Sequence, residues 1–429
     1  MPPSPNYQII PYNDTRIAFC ALPHVQSVSL GLWFSAGARC ETEQDSGVFH
    51  FIEHMLFKGT KRRTARMISE LIEGHGGDIN AFTSQESTCY YARIPSRHLP
   101  LALDVLFGMV CEPLFPADEF EKERGVIEEE IRMYDDQPGS VASDALDALI
   151  WPNHPLGRSV AGTLETVGKM KRSTLLDYWK RHYTPRQLVI SVAGDADALS
   201  LVEQVRKQAS FGKRAGSRPN PNPRAKTSTS KAVSFQAIER PFKQAHLAIG
   251  FDSVSRHDPR RYALRLLNVA LGENMSSRLF QSLRERHGWA YSVQSGISCM
   301  HDTGALSIHV GLEKENVAKA IRATGKELHR LKEKPLSKRE LQRAKDYAIG
   351  QFEISLEKPT TQMMRMGESL ISYGKIEPPE VLIDSLNRVS AREIQKLARE
   401  LIHPGRAHIV CVGPDINNTW LKPSALSFV

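Results

Sequence analysis

Residues 47–60 read GVFHFIEHMLFKGT, and the two histidines and one glutamate inside so apolar a run decide how the rest of the chain is understood. On a helical wheel Phe49, Ile52 and Leu56 recur at i, i+3 and i+7, the stripe of a helix packed on a core. His50, Glu53 and His54 share the adjoining face. Side chains four residues apart lie one turn above each other, so both imidazoles can address a single atom with Glu53 beside them. A buried histidine is ordinarily a core residue satisfied by a backbone carbonyl. Three ionisable groups on one buried turn, however, cost several kcal/mol without a compensating partner, and Zn²⁺ is the usual partner of neutral imidazole.

A zinc site of this kind needs a third protein ligand, and residues 116–138, PADEFEKERGVIEEEIRMYDDQP, offer one. The pattern predicts a helix after Pro116 with Phe120, Ile127, Ile131 and Tyr134 on its inward stripe. Glu128 and Glu129 fall on the outer faces, whereas Glu123 and Glu130, seven residues apart, lie at the edge of the stripe. Glu130 as a ligand, with Glu123 as an acceptor that orients a ligand histidine, gives both inward acids a reason.

Composition sets the frame around this site. A chain of 429 residues exceeds one ordinary core and predicts two domains of roughly 200 residues each. No apolar run approaches the length of a membrane span, and the start, MPPSPNYQIIPYNDTRIAFC, has neither signal-peptide nor presequence character. A soluble, cytoplasmic chain without membrane attachment is the expectation. Cysteines 20, 40, 89, 111, 299 and 411 form no CxxC pair and read as reduced and mostly buried. The net charge of +8 falls to +2 when residues 212–231 are set aside, because that segment holds Lys213, Arg214, Arg218, Arg224, Lys226 and Lys231 and no acid. A basic linker therefore explains the charge better than a nucleic-acid groove, and no nucleic-acid partner is expected.

That segment, GKRAGSRPNPNPRAKTSTSK, has no apolar periodicity and divides the chain nearly in half. The predicted domains are 1–211 and 232–429, joined by 212–231. YTPRQLVISVAGDAD, ending at Asp197, resembles IHPGRAHIVCVGPDI, ending at Ile416, with Pro185 and Gly194 matched by Pro404 and Gly413. VSLGLWF from Val28 likewise matches AHLAIGF from Ala245. Two repeats at nearly one offset predict a duplicated α+β fold whose sheets, fed by runs such as SVSLGLWF and GALSIHVGL, are mainly antiparallel. Only the first half carries the histidine-rich helix.

HFIEH followed by Glu130 resembles the inverted zinc motif of the pitrilysin-type (M16) metallopeptidases, the inverzincins. The nearer resemblance is to the processing-peptidase-like subfamily, through FHFIEHMLFKGT, GGDINAFTSQESTCYYA, ERGVIEEEIRMYDDQP, HPLGRSVAGT at 154–163 and MSSRLFQSLRERHGWAYSV, which together span most of the chain. It implies two homologous domains of the LuxS/metallopeptidase-like kind enclosing a central chamber. It also implies one zinc ion per chain on His50, His54 and Glu130, with Glu53 as general base and Glu123 in support. Arg284 and Tyr291 match the family's arginine and tyrosine that act on the developing oxyanion. The strand read over Asp78–Ile94, preceded by Gly76 and Gly77, would add the substrate as a further strand, with Asn80 and Ala81 near the scissile bond. His75, between Gly74 and Gly76, reads as a loop residue.

The resemblance thus implies a zinc endopeptidase acting on peptides, unfolded proteins or N-terminal extensions. With the full ligand set in one chain, a homodimer is the expectation, and a heterodimer with a zinc-less homologue is the alternative. The rival in another class is a catalytically silent peptide-binding or assembly subunit. Asp135, Asp136, Asp144 and Asp147 read either as an acidic subsite for basic residues or as solvated aspartates.

Overall fold

The structure, a computed structural model, describes residues 6–208, 224–225, 233–403 and 406–416. Apart from Arg224 and Ala225, the basic connection read at 212–231 lies outside the described residues, as does Pro404 of the repeat. The first half carries strands β1 (Tyr7–Tyr12), β2 (Thr15–Ala21), β3 (Ser27–Phe34), β4 (Asp78–Thr83), β5 (Thr88–Pro95) and β6 (Leu188–Gly194). Its helices are α1 (Val48–Leu56), α2 (Ala65–Glu73), α3 (Leu99–Cys111), α4 (Ala117–Asp135), α5 (Pro138–Ile150), α6 (Leu164–Lys169), α7 (Arg172–His182) and α8 (Ala198–Lys207). In the second half lie β7 (Ser234–Glu239), β8 (Ala245–Ser253), β9 (Ala290–Cys299), β10 (Gly304–Leu312) and β11 (Ala407–Gly413). Helices α9 (Arg261–Asn268), α10 (Val317–Glu333), α11 (Lys338–Ser355), α12 (Pro359–Tyr373), α13 (Pro379–Arg388) and α14 (Ala391–Leu401) accompany them. No helix among the described residues is long and apolar enough to cross a membrane.

The chain forms two compact units, each assembled from three stretches: Met1–Ile131, Ser159–Pro223 and Glu353–Pro379, and Arg132–Arg158, Arg224–Phe352 and Glu380–Val429. The first unit holds a sheet of order β1-β2-β6-β3-β5-β4, in which only β2 and β6 run parallel. The second holds β7-β11-β8-β10-β9, in which only β7 and β11 run parallel. The two orders match strand for strand from β2 and β7 onward, with β6 answering β11, as the repeated segments predict.

Strand alternation sends one set of side chains to each face of a sheet, so both faces must be covered. In the first unit Leu30, Leu32 and Phe34 join α1, α3 and α7 in the main core, while Trp33, Cys89 and Val189 face the other way and meet Met363, Met366 and Leu370 of α12. The approach is close: a Cβ on Gly367 would lie 2.1 Å from Trp33 Nε1, and one on Gly31 would lie 2.6 Å from Met363 Sδ. Trp33 Nε1 donates to Ser191 Oγ at 2.8 Å, which satisfies the one polar atom of the buried indole. In the second unit Ala142, Leu146 and Ile150 of α5 cover Ala248, Val410 and Val412 in the same manner. Each sheet is thus closed by a helix drawn from the other half of the sequence.

Two local expectations change. Asp78–Ile94 is a hairpin rather than one strand, because polar Ser84–Ser87 turns the chain between β4 and β5, and β4 forms the sheet edge. Tyr134 is 40 % exposed, so the inward stripe of α4 ends at Ile131 after Phe120 and Ile127. The six cysteines are free, with Cys40 and Cys299 only partly buried.

Candidate metal centre

The helix that carries the histidines starts where Glu41 caps it. The buried carboxylate accepts from the backbone N–H of Gly47 at 2.8 Å and of Phe49 at 3.0 Å, satisfying two orphan donors and placing negative charge at the positive end of α1. Gly47 has φ of 93°, and a Cβ there would meet Ala161 O at 2.6 Å, so only glycine lets the helix start against the Ala161–Gly162 turn. Phe49, Ile52 and Leu56 are fully buried. Phe51 stacks on Phe120 of α4 with centroids 4.8 Å apart, which fixes α4 alongside α1 and brings its two inward acids to the histidines.

His50 Nε2 and His54 Nε2 both approach Glu130 Oε2, at 3.7 and 3.6 Å. His54 Nδ1 lies 3.1 Å from Glu123 Oε2, and Lys58 Nζ holds the other oxygen of Glu123 at 2.6 Å. Glu53 shares this face and accepts from Thr83 Oγ1, at the end of β4, at 2.5 Å. Burial together with the neighbouring His54 lowers the His50 pKa to about 4. Burial alone would do the same to His54, but hydrogen bonds to Glu123 and Glu130 raise it to about 9. Glu53 is pushed up by burial, against the hydrogen bond from Thr83. Glu123 is held down by its bonds to His54 and Lys58 despite burial.

These groups fit a zinc ion. A tetrahedral ion with bonds of about 2.0–2.1 Å has ligand–ligand edges of roughly 3.3 Å, close to the 3.7 and 3.6 Å that separate Glu130 Oε2 from the two imidazoles. The three ligand atoms all lie within 4.8 Å of one another, the single His/Cys/Asp/Glu group among the described residues that could hold a metal. Glu123 beside His54 Nδ1 would hold the proton there once the ring is neutral, leaving the Nε2 lone pair for a metal. His50 Nδ1 is buried without a hydrogen-bond partner, so nothing in the protein competes for that ring's position. Two imidazoles and one carboxylate leave a fourth coordination position open, the pattern of a catalytic rather than a structural site.

Asn80 and Ala81 lie on β4, whose outer edge pairs with no strand among the described residues, and Thr83 at its end links that edge to Glu53. Arg284, in the π-helical turn Phe280–Arg286, and Tyr291, near the start of β9, meet each other in the second unit: the guanidinium carbon lies 5.9 Å from the phenol ring centroid, and Tyr291 is 73 % exposed. His75 closes the end of α2, with Nδ1 2.8 Å from Leu71 O and its ring against His98, in keeping with a loop role. Asp144 and Asp147 lie on α5 in the second unit, where burial and Asp144 raise Asp147 to about 7. Glu41, Lys58 and Thr83 complete the site without having been singled out in the sequence. Lys58 alone carried a signal, since it follows His54 at i+4.

A duplicated α+β chain with an H-x-x-E-H helix and a following glutamate in one half only is what the fold and site define. Residues 16–164 match the family described as "Insulinase (Peptidase family M16)" and residues 169–347 match "Peptidase M16 inactive domain". The chain belongs to peptidase family M16. It is 37 % identical to the uncharacterised zinc protease YmxG of Bacillus subtilis, over 91 % of this chain and 94 % of that one. It is 36 % identical to an uncharacterised zinc protease of Streptomyces coelicolor, over 93 % and 87 %. Solved structures of a Helicobacter pylori protease and of a peptidase M16 inactive domain from Pseudomonas fluorescens superpose with TM-scores of 0.89 and 0.88 at 19 % and 20 % identity. Each covers 96 % of this chain, and the shares of those chains are 100 % and 99 %. At such identity the likeness concerns the fold.

Proposed function

We propose that the protein is a zinc-dependent endopeptidase that hydrolyses peptides or unfolded segments. The observation that carries this reading is the convergence of His50 Nε2, His54 Nε2 and Glu130 Oε2 with Glu53 on the same helix face. His50, His54 and Glu130 would hold one zinc ion, which supplies Lewis acidity and lowers the pKa of a coordinated water towards about 7. Glu53, steadied by Thr83, accepts a proton from the attacking water and returns it to the leaving amine nitrogen. Its raised pKa strengthens it as the acceptor in the first transfer. Glu123 and Lys58 keep His54 in its donor tautomer. The unpaired edge of β4 would take the substrate main chain as an added strand, with Asn80 and Ala81 beside the bond cut, which selects extended chains with little regard to sequence. Arg284 and Tyr291 are assigned to the developing oxyanion, a role for which a cation and a phenol are suited. The same reading takes the enzyme as cytoplasmic and as a homodimer, or a heterodimer with a zinc-less homologue.

The test is cleavage of a quenched, unstructured peptide library by the metal-loaded chain beside Glu53→Gln. The variant is expected to keep its zinc and lose activity by about 10²–10⁴-fold. Equal inertness of both zinc-loaded proteins would instead favour a peptide-binding subunit.

A further inference from the structure

In the second unit a cleft of about 280 Å³ opens between the π-helical turn Phe280–Arg286 and α10, and it is lined by positive charge. Lys319, Arg322 and Lys326 recur at i, i+3 and i+7 on one face of α10, and Arg286 enters from the turn opposite. The floor is Trp289, with His287 stacked on it at 4.1 Å and Lys319 Nζ over its ring at 5.9 Å. Gly288, at φ of 61°, makes the reversal that lays the imidazole on the indole. The single carboxylate in the lining, Glu327, is taken by Arg330 Nη1 at 2.9 and 3.1 Å.

Three arginines elsewhere in this unit give a contrast. Arg260, Arg265 and Arg278 each hold a carboxylate, Glu400, Glu273 and Glu340 respectively. The side chains of Arg286, Arg322 and Lys326 form no hydrogen bond or ion pair with any described residue, although they come from two elements and face one concavity. All four cations are solvent-exposed, so it is their arrangement that matters. Gathered around a cleft, they focus a positive potential into it. Guanidinium groups match phosphate oxygens as paired donors, and several cations in so small a space call for a multiply charged anion rather than one carboxylate.

We infer that this cleft is a binding site for a soluble small molecule carrying two or more adjacent phosphates. The site lies apart from the histidine helix in sequence, and its test reads binding alone, so it stands or falls independently of peptidase activity. The probe is pyrophosphate, titrated calorimetrically into the full chain near 0.15 M salt, where exposed charges more than about 8 Å apart are largely screened. Saturable binding is expected, weakened about tenfold or more in Arg322→Gln/Lys326→Gln and again in Arg286→Gln. Lys338→Gln/Arg339→Gln removes the same charge from exposed positions on α11 outside the cleft and is expected to bind as wild type does. Thermal melts of all the variants separate lost binding from lost folding. The inference is overturned if wild type shows no saturable binding, if the control pair weakens it as much as the cleft pair, or if only anionic phosphatidylglycerol vesicles or polyglutamate bind.

Discussion

From β2 and β7 onward the two sheets share one strand order, yet the first helix after the central strand differs between them. Phe34 of β3 and Phe251 of β8 are matched at an offset of 217, and at that offset His50, Glu53 and His54 fall on Leu267, Ala270 and Leu271. Those three are 0 %, 6 % and 0 % exposed. The second unit closes with plain apolar packing where the first carries three ionisable groups, so the fold does not need them. Their burial is a cost that a bound ion would offset in the first unit only.

The largest effect that can break this comparison is metal removal. Stripping divalent metal with a chelator is expected to destabilise the first unit by about 4 kcal/mol, the value for a ligand at a thousandfold excess over its Kd. Hydrogen exchange would show it as lost protection in α1 and α4, with β8 and β10 unchanged. Equal loss in both units would remove the asymmetry.

The outer face of each sheet offers a second, smaller contrast. Trp33 of β3 presses on Gly367 of α12, whereas Gly250 of β8, which matches Trp33, receives Leu146 and Ile150 of α5. Knob and hole have changed sides. A Cβ at Gly367 meets a rigid indole at 2.1 Å, and one at Gly250 meets flexible methyl groups at 2.8 and 2.9 Å. Gly367→Ala is therefore expected to cost about 2–3 kcal/mol and Gly250→Ala about 1 kcal/mol, read from urea midpoints. The reverse order would mean that the indole, not the leucine and isoleucine, is the side chain able to move.

Periodicity made α1, β3 and β10 legible, because each keeps one uninterrupted pattern over its whole length. The zinc ligands were legible because four-residue spacing on a helix fixes a shared face. What escaped depended on how the chain turns between elements or on partners distant in sequence. Nothing near Glu41 shows that it will cap α1, and Thr83 reaches Glu53 only through the β4 edge. The apolar faces of α5 and α12 are visible in sequence, but the pattern does not state which sheet each covers. Arg286 and Arg322 likewise meet at one cleft only once α10 is packed. The Asp78–Ile94 hairpin is marked in the sequence only by the polar run Thr83–Thr88, which interrupts the alternation between β4 and β5.

A further effect, seen only as pH falls, sharpens the repeat at a single position. β6 and β11 match at an offset of 219, which sets Val189 opposite His408, and both are buried. Burial lowers His408 to about 4, and neither ring nitrogen has a hydrogen-bond partner. In the unfolded chain a histidine titrates near 6.5, so between about 4 and 6.5 the unfolded state binds the extra proton. Stability associated with neutral His408 is fully present above that window and is lost as pH falls through it. The loss amounts to about 2 kcal/mol at about pH 5. His408→Val copies the first unit and removes the titration, so its advantage over wild type in urea unfolding should grow by that amount between about pH 7.5 and about pH 5. A pH-independent difference would mean that the imidazole finds a polar partner on protonation, and that the matching valine is a matter of packing alone.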